Sequence, residues 1–427
     1  MDAQVDLGQR AFGIGSPGQW ESWRHVAALR IEQGAFLGAF MSGRPAGSAV
    51  FHDMRQWWHG RPVPMAGVAG VKVAPEYRGR GIGRRLMTEL LGLIAGRGYP
   101  LSALYPATMP LYRSLGWELA GGRYHAAVPA RSLQSLMPAD AGASGGGASG
   151  GGASGGGASG GGASGGGASG GGASGGGASG GPAAVGDAMP ELRRAGPDDA
   201  DAVIAVTGRA HEAARDSGPL TWGPEPTARW LSRTDIYSYL SDDGFVAYRW
   251  FDGNDVLYVE RLHGVTPEAV RALWSVVASH GSIASTVRVR TSPADPFWWL
   301  TRERDAAMTK RAMWMLRVVD APAAIAARGF PRAVSAAVPL VITDAARPAN
   351  SGRWQLVVGD GKGTLVPEGN GGAAAALNLG ARGLAALFAG TPVVSLRLAG
   401  LASGGSPDTD SALDAAFAGT PYMVDDF

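Results

Sequence analysis

The chain has 427 residues, a formal net charge of +2 and no cysteine, a length that allows two to four domains with their own cores. The small net charge argues against a nucleic-acid-binding surface, and the lack of cysteine excludes disulfides, a cysteine nucleophile and thiolate metal sites. We also predict a cytoplasmic protein that binds neither metal nor membrane, because the sequence shows no signal peptide, no membrane-length apolar segment and no histidines at metal-ligand spacing.

The first informative segment, residues 71–87, reads as a strand, a glycine-rich turn and an amphipathic helix. Its strand contains Val71, Lys72 and Val73. Its turn contains Arg78, Gly79, Arg80, Gly81, Ile82, Gly83 and Arg84. Such a turn presents backbone N–H groups at the positive end of a helix dipole, and the arginines add charge-assisted donors. The segment therefore predicts an anion site, for which phosphate is the usual ligand.

The order of the residues in the turn narrows the choice among phosphate-containing ligands. A Walker loop ends in Gly-Lys-Ser/Thr, whereas this turn ends in Gly83-Arg84-Arg85. A dinucleotide fingerprint needs Gly-x-Gly-x-x-Gly and an acidic residue after the next strand, and Leu101–Tyr105 supplies none. The order resembles the pyrophosphate motif of the GNAT acetyltransferases, which bind acetyl-CoA. The plainer alternative is an ordinary strand-to-helix connection in an arginine-rich protein.

Residues 143–181 repeat Ala-Ser-Gly-Gly-Gly with period five, which predicts a flexible linker over 141–182. About 40 such residues would span roughly 35 Å. After the linker the pattern predicts a second set of strands and helices that lacks a glycine-rich turn. These elements are a short strand after Glu191, a helix over Asp198–Arg215, a strand over Val256–Val265, a helix from Thr266 and a strand over Ser285–Thr291. We interpret this region as a degenerate copy of the first module.

The last hundred residues read as a separate α+β domain. The pattern predicts a short helix over Ala321–Arg328 and two strands over Ala336–Thr343 and Trp354–Val358. It then predicts a helix of small residues over Ala373–Ala389 and a final helix over Ser411–Phe417.

Taken together, these features resemble the Eis family of aminoglycoside acetyltransferases, which have two GNAT-like domains and a sterol-carrier-like domain. The most specific matches are Val71–Met87, Leu101–Trp117, Val318–Phe330 and Asp414–Phe427. The resemblance implies an α/β and α+β multidomain fold. Its parts would be a GNAT acetyl-CoA-binding catalytic domain (1–140), the linker (141–182), a degenerate GNAT-like domain (183–316) and a sterol-carrier-like domain (317–427).

The resemblance also implies the active site. Val71, Lys72 and Val73 match the strand that pairs with the pantetheine arm, and Arg78 to Arg84 match the pyrophosphate turn. Tyr112 matches the general acid, and the carboxylate of Phe427 matches the general base. Without the resemblance, Tyr112 would be interpreted as a core aromatic and Phe427 as a frayed tail.

Several nearby residues have two interpretations. Asp425 and Asp426 would either attract a polycation or be solvated acids. Trp57 and Trp58, in a predicted hairpin, would line an acceptor cleft, unless one of them is simply buried by strand alternation.

Two features depart from the family pattern. Residues 1–19 leave little room for the strand and long helix that normally start a GNAT domain, so either the domain starts late or the chain is truncated. The segment 106–109 replaces polar residues that many relatives place near the cofactor.

The leading hypothesis is an acetyl-CoA-dependent N-acetyltransferase, with one active site per chain, that acts on aminoglycoside-like amines. The alternatives are a lysine or small-amine acetyltransferase, and a hydrophobic-ligand-binding protein with an inactive first module. The resemblance implies a hexamer, and the composition implies no nucleic-acid partner.

Overall fold

The computed structural model describes residues 2–13, 17–137, 189–301, 306–368 and 376–427. The predicted linker, 141–182, lies outside the described residues. None of the helices in the described part of the chain has the length and apolarity that a membrane span requires.

The first unit begins with two helices and continues as a sheet with one long helix on its face. Its elements are α1 (Asp2–Phe12), α2 (Pro17–Glu32), β1 (Phe36–Met41), β2 (Arg44–Trp58), β3 (Arg61–Val73), α3 (Ile82–Gly96), β4 (Leu101–Leu104), α4 (Met109–Arg113) and β5 (Glu118–Pro129). The described residues before β1 therefore form two helices, where a GNAT domain was expected to start with a strand and a helix.

Local sequence explains the two elements that frame the glycine-rich turn. Strands β2 and β3 form a hairpin because His59 and Gly60 adopt positive φ angles of 48° and 74°, which a tight two-residue hairpin turn requires. Helix α3 buries one face against the sheet, since its apolar residues recur at helical spacing. That face consists of Leu86, Met87, Leu90, Leu91 and Ile94.

From its third strand onward the second unit repeats the order of strands and helices in the first unit, and before that it has two short strands and two helices. Its elements are β6 (Arg193–Arg194), α5 (Ala200–Ala214), β7 (Leu220–Thr221), α6 (Pro224–Leu231), β8 (Tyr237–Ser241), β9 (Gly244–Phe251), β10 (Val256–Gly264), α7 (Pro267–Ala278), β11 (Thr286–Thr291), α8 (Phe297–Leu300) and β12 (Ala307–Val318). Helix α7 starts as predicted, because the Thr266 hydroxyl accepts a hydrogen bond of 3.2 Å from the backbone N–H of Ala269 and Pro267 follows the cap.

The third unit has a five-stranded sheet with helices on one face. Its elements are α9 (Ala321–Ala327), β13 (Ala336–Thr343), β14 (Gly352–Gly359), β15 (Lys362–Pro367), β16 (Leu377–Gly380), α10 (Ala381–Phe388), α11 (Val393–Leu398), β17 (Ala402–Gly404) and α12 (Pro407–Ala416). Of the helix predicted over Ala373–Ala389, residues 373–375 lie outside the described residues, and the prediction is wrong at Leu377–Gly380, which is a strand parallel to β13. Leu377 and Leu379 are buried while Asn378 and Gly380 are exposed, the alternation of a strand.

The first two units share one continuous sheet of twelve strands. Strand β12, from the end of the second unit, lies between β4 and β5 of the first unit, and β5 in turn pairs with β11 of the second. The predicted boundary between residues 316 and 317 falls inside β12. Each unit therefore completes its sheet with a strand from the other.

A single apolar core joins the first and third units. Met54, Trp58, Leu316, Leu340 and Phe388 belong to the same cluster of buried residues. The third unit is thus packed on the sheet of the first, and the chain that leaves α12 returns to that sheet.

Candidate active site

Strands β3 and β4 diverge and leave an open wedge in the sheet. They pair in parallel from Met65 opposite Leu101 to Gly67 opposite Ala103, whereas β3 continues to Val73. On its other edge β3 stays paired with β2 up to Val73 opposite Gly47, across a register shift near Gly70. The edge of β3 that faces the wedge therefore carries backbone groups that no strand of the described chain uses.

The glycine-rich turn lies at the end of the same strand. Gly79 and Gly81 both have φ of 76°, which favours glycine strongly, and open space surrounds the position that a Cβ atom would occupy at either. Gly81 precedes α3 and caps it without a side-chain hydrogen bond. The first N–H groups of α3 therefore point into an open turn, as an anion site needs.

The arginines of the turn have no carboxylate partners among the described residues. Arg78, Arg80 and Arg84 are exposed, and none of them forms an ion pair with a carboxylate that the structure describes. Arg78 is placed by a long hydrogen bond of 3.4 Å from its Nε to the carbonyl of Val73, and Arg80 lies 5.6 Å from the Tyr77 ring. These guanidinium groups are therefore available to a phosphate.

Tyr112 lies on the face of the sheet that α3 covers. It is 5% exposed and belongs to the same buried cluster as Leu90 and Val68, and its ring meets the Trp117 ring edge to face at 6.5 Å. Burial raises the pKa of the Tyr112 phenol. The hydroxyl makes no hydrogen bond to any described residue, so Tyr112 is both a core aromatic and a side chain with a free donor.

Phe427 reaches the wedge from the opposite face. A Cβ atom placed on Gly67 would lie 3.0 Å from the Phe427 ring and 2.9 Å from the sulfur of Met54, and Gly67 is the last residue of β3 that pairs with β4. The Phe427 ring also lies 5.5 Å from the ring of Tyr105, which directly follows β4. The Phe427 ring therefore lies where the pairing of β3 with β4 ends.

The segment before Phe427 is held in place between the first two units. The backbone N–H of Tyr422 donates to Ser217 at 3.0 Å, and that of Met423 donates to Gly122 at 3.1 Å. Gly121 and Gly218 are required here, because a Cβ atom on either would collide with the backbone of Pro421 or Tyr422. The C-terminal segment is consequently packed rather than frayed.

Family models match three successive parts of the chain. They describe an acetyltransferase (GNAT) domain over residues 1–120, a second acetyltransferase (GNAT) domain over 222–318 and a sterol carrier protein domain over 321–424. Among solved structures, a GCN5-related N-acetyltransferase from Kribbella flavida is 41% identical with a TM-score of 0.84, over 100% of this chain and 95% of that one. The chain belongs to the GCN5-related N-acetyltransferase family.

Within this family the acetyltransferase is Eis-like. The N-acetyltransferase Eis of Mycobacterium tuberculosis is 26% identical over 356 residues, which are 81% of this chain and 77% of the relative. The Eis1 structure from Mycobacterium abscessus has the same fold, with a TM-score of 0.71 at 22% identity over 100% of this chain and 97% of that one. The predicted fold class, tandem GNAT domains followed by a sterol-carrier-like domain, is confirmed, and the protein is an acyltransferase.

The structure corrects the hypothesis that Trp57 and Trp58 line an acceptor cleft. Both tryptophans of the acetyltransferase are buried, at 7% and 1% exposure. Trp57 donates a hydrogen bond of 2.8 Å to Thr221 of the second unit, and Trp58 packs on Phe388 of the third at 4.9 Å. Neighbouring residues of the strand face opposite ways, and here each face meets a different unit.

Asp425 is buried and ion-paired, whereas Asp426 is exposed and ion-paired. Asp425 is 6% exposed and forms an ion pair with Arg261. Asp426 forms ion pairs with Arg123 and, at 3.5 Å, with Arg290. Both acids attach the C-terminal segment of the acetyltransferase to the shared sheet.

The residues that anchor this segment were not singled out from the sequence. Arg290 donates to the carbonyl of Val424 at 2.8 Å, and the Tyr422 hydroxyl donates to Asp216 at 2.9 Å. Arg290 occupies a regular polar position in the alternation Val287-Arg288-Val289-Arg290 of β11, so the sequence pattern gave no signal that it has a specific partner.

The backbone and the side chain of Lys72 lie in different surroundings. Its backbone lies on the wedge strand, while its ammonium group lies 4.0 Å from the Trp23 ring and beside Gly8 of α1. Burial lowers the pKa of the Lys72 ammonium to about 8. The ammonium forms no ion pair with any carboxylate that the structure describes.

Proposed function

We propose that the acetyltransferase transfers an acetyl group from acetyl-CoA to a primary amine in the wedge between β3 and β4. The observation that carries this proposal is the free backbone edge of β3, which runs directly into the open glycine-arginine turn. A strand-like pantetheine arm and a pyrophosphate are complementary to such an edge and turn.

The backbone of Val71–Val73 would serve two purposes. Its free carbonyl and N–H groups would hydrogen-bond the amides of the pantetheine arm. An N–H directed at the thioester carbonyl would stabilise the oxyanion that forms when the amine attacks. Residues 78–84 would hold the pyrophosphate through backbone N–H groups and arginine side chains.

Tyr112 would protonate the departing thiolate. A tyrosine phenol is protonated at neutral pH, burial raises the pKa of Tyr112 further, and its hydroxyl has no competing partner among the described residues. Proton donation from a positioned phenol stabilises the leaving group as the carbon–sulfur bond breaks.

The terminal carboxylate of Phe427 would accept the proton of the attacking amine. The proposal is supported by the packing of the Phe427 ring against Gly67 and Tyr105, which lie where the pairing of β3 with β4 ends. A chain-terminal carboxylate is ionised at neutral pH. It would therefore act as the general base, directly or through one water.

The identity of the amine stays a prediction. The resemblance favours an aminoglycoside-like acceptor. The alternative, a small cellular amine or a lysine, is favoured by one observation, because arginines already neutralise the acids beside Phe427. A hexamer, a cytoplasmic location and the absence of a metal also stay predictions.

The decisive experiment incubates the full-length protein with acetyl-CoA and a panel of aminoglycosides, alkyl amines and lysine peptides. Mass spectrometry counts acetyl-sized increments, and a thiol reagent follows the release of free coenzyme A. Transfer to at least one amine, dependent on acetyl-CoA, is the expected result. Thiol release at the same rate with and without any amine would contradict the proposal.

A further inference from the structure

A cavity of about 320 Å³ lies beside the C-terminal segment, on the sheet of the second unit. Asp425 and Asp426 line it, so its wall is one peptide bond away from Phe427. Trp222 and Trp230 form an apolar side. The volume is that of a small-molecule site, and its position is next to the group proposed as the general base.

The charged lining of this cavity has more arginines than carboxylates. Four arginines and three acids contribute to it, namely Arg233, Arg249, Arg261, Arg290, Glu260, Asp425 and Asp426. Each acid has at least one arginine partner. Glu260 lies between two of them, 2.6 Å from Arg249 and 3.1 Å from Arg290.

The hydrogen-bonding capacity that remains is mostly donor capacity. Both oxygens of Glu260 are used by arginines, whereas each guanidinium has five N–H donors and no acceptor. Arg249 donates through Nε to Glu260, and Arg233 is paired with Asp235, which does not line the cavity. The terminal nitrogens of Arg249 and one of Arg233 make no hydrogen bond to any described residue.

A polycation is a poor match for this lining. It would have to displace arginines from Glu260 or Asp425, and breaking a largely buried ion pair leaves an uncompensated charge. A ligand with a carboxylate or phosphate would instead meet free guanidinium donors. An ammonium on the same ligand would lie beside the C-terminal segment, whose Asp425 and Asp426 line the cavity and directly precede Phe427.

We infer that the acceptor of this acetyltransferase is a small amine that also carries an acidic group, bound with its anion on the arginines of this cavity. The inference rests on the proposed function, since it names the substrate class of the same site. The inferred acceptor differs from the polycations that an aminoglycoside acetyltransferase selects.

The test uses three acceptors with the same six-carbon chain: 6-aminohexanoate, hexylamine and hexane-1,6-diamine. We expect kcat/KM to be about tenfold or more higher for 6-aminohexanoate than for the diamine, as one charge-assisted hydrogen bond would give. Titration calorimetry of the full-length protein with 6-aminohexanoate and with the diamine gives the same comparison without turnover.

The variant Arg233→Glu should invert the order, with a higher KM for 6-aminohexanoate and a lower KM for the diamine. Arg271→Glu is the matched control, because Arg271 is an exposed arginine on α7 that pairs with Glu268 and does not line the cavity. Thermal melting checks that both variants fold.

The outcomes separate the two proposals. A preference for the diamine in rate or in calorimetry, unchanged by Arg233→Glu, would overturn the acidic-acceptor inference and leave the transferase function intact. Binding of 6-aminohexanoate without transfer to any amine would contradict the proposed function and support the anion site.

Discussion

The Tyr105 hydroxyl donates a hydrogen bond of 2.7 Å to the backbone carbonyl of Asp425. Tyr105 directly follows β4, one of the two strands that form the wedge, and Asp425 belongs to the segment that leaves the third unit. This contact joins the first unit to the end of the chain. The sterol-carrier-like domain therefore contributes a side of the proposed active site, rather than forming a separate module.

Replacing Tyr112 by Phe should lower kcat by about 10²- to 10⁴-fold, the usual contribution of a general acid. KM should change little, because the ring and its packing on Trp117 are retained. Steady-state rates across acceptor concentrations provide the measurement. Tyr237→Phe, in the second unit, is the control and should keep the rate of the unchanged protein. Full activity of Tyr112→Phe would show that another group protonates the thiolate.

Adding one glycine after Phe427 should also lower kcat by about 10²-fold or more. The extension keeps the ring packed on Gly67 and Tyr105 but moves the carboxylate by one residue. Phe427→Ala is the complementary variant, since it keeps the carboxylate at position 427 and loses the ring. If the extended chain retains its rate, the terminal carboxylate is not the base.

How much of this site the sequence could predict depends on how local each part is. The strand, turn and helix at residues 71–96 are contiguous, so their apolar spacing and glycines were sufficient. The wedge also needs β4 to diverge from β3, and β12 to pair with β4. The pairing of β12 with β4 joins residues more than 200 positions apart, and periodicity carries no information about where either pairing begins or ends.

The open alternatives and the one wrong element have the same physical origin. The sequence left open whether Trp57 and Trp58 line a cleft or are buried, because it does not show that residues of two other units pack on them. It left open whether Asp425 attracts a polycation or is solvated, because its partner, Arg261, is far away in the sequence. The strand at Leu377–Gly380 was mistaken for helix because four residues are too few to establish a period of two, and β13 determines its conformation.

Replacing Lys72 by Met should stabilise the protein at pH 7. The pKa of the Lys72 ammonium is about 8 in the folded chain and 10.5 in the reference state. Below pH 8 both states carry the charge, so the native state bears the full cost of burial. Between pH 8 and 10.5 the unfolded chain binds more protons, so the stability of the unchanged protein rises with pH.

The gain from Lys72→Met should therefore be largest below pH 8 and shrink as the pH approaches 10.5. We expect about 1 kcal/mol at pH 7, less than the pKa difference alone implies at about 1.4 kcal/mol per unit, because the contact of the ammonium with the Trp23 ring is lost in the variant. Urea unfolding of both proteins at pH 7 and pH 10 gives the comparison. A gain that grows between these pH values would have the wrong sign.

Replacing Arg317 by Met should destabilise the protein by about 3–5 kcal/mol, the usual cost of removing one partner of a buried ion pair. Arg317, on β12, and Asp344, after β13, are 0% and 1% exposed, and one guanidinium nitrogen lies 2.6 Å from both carboxylate oxygens. The pair lies where the shared sheet meets the third unit, so the variant leaves an unpaired carboxylate in that junction.

The double variant Arg317→Met with Asp344→Leu removes both charges and should recover much of the loss. Chemical denaturation of the single and double variants measures the coupling, and equal instability of the two would show that packing, rather than the unpaired charge, causes the effect.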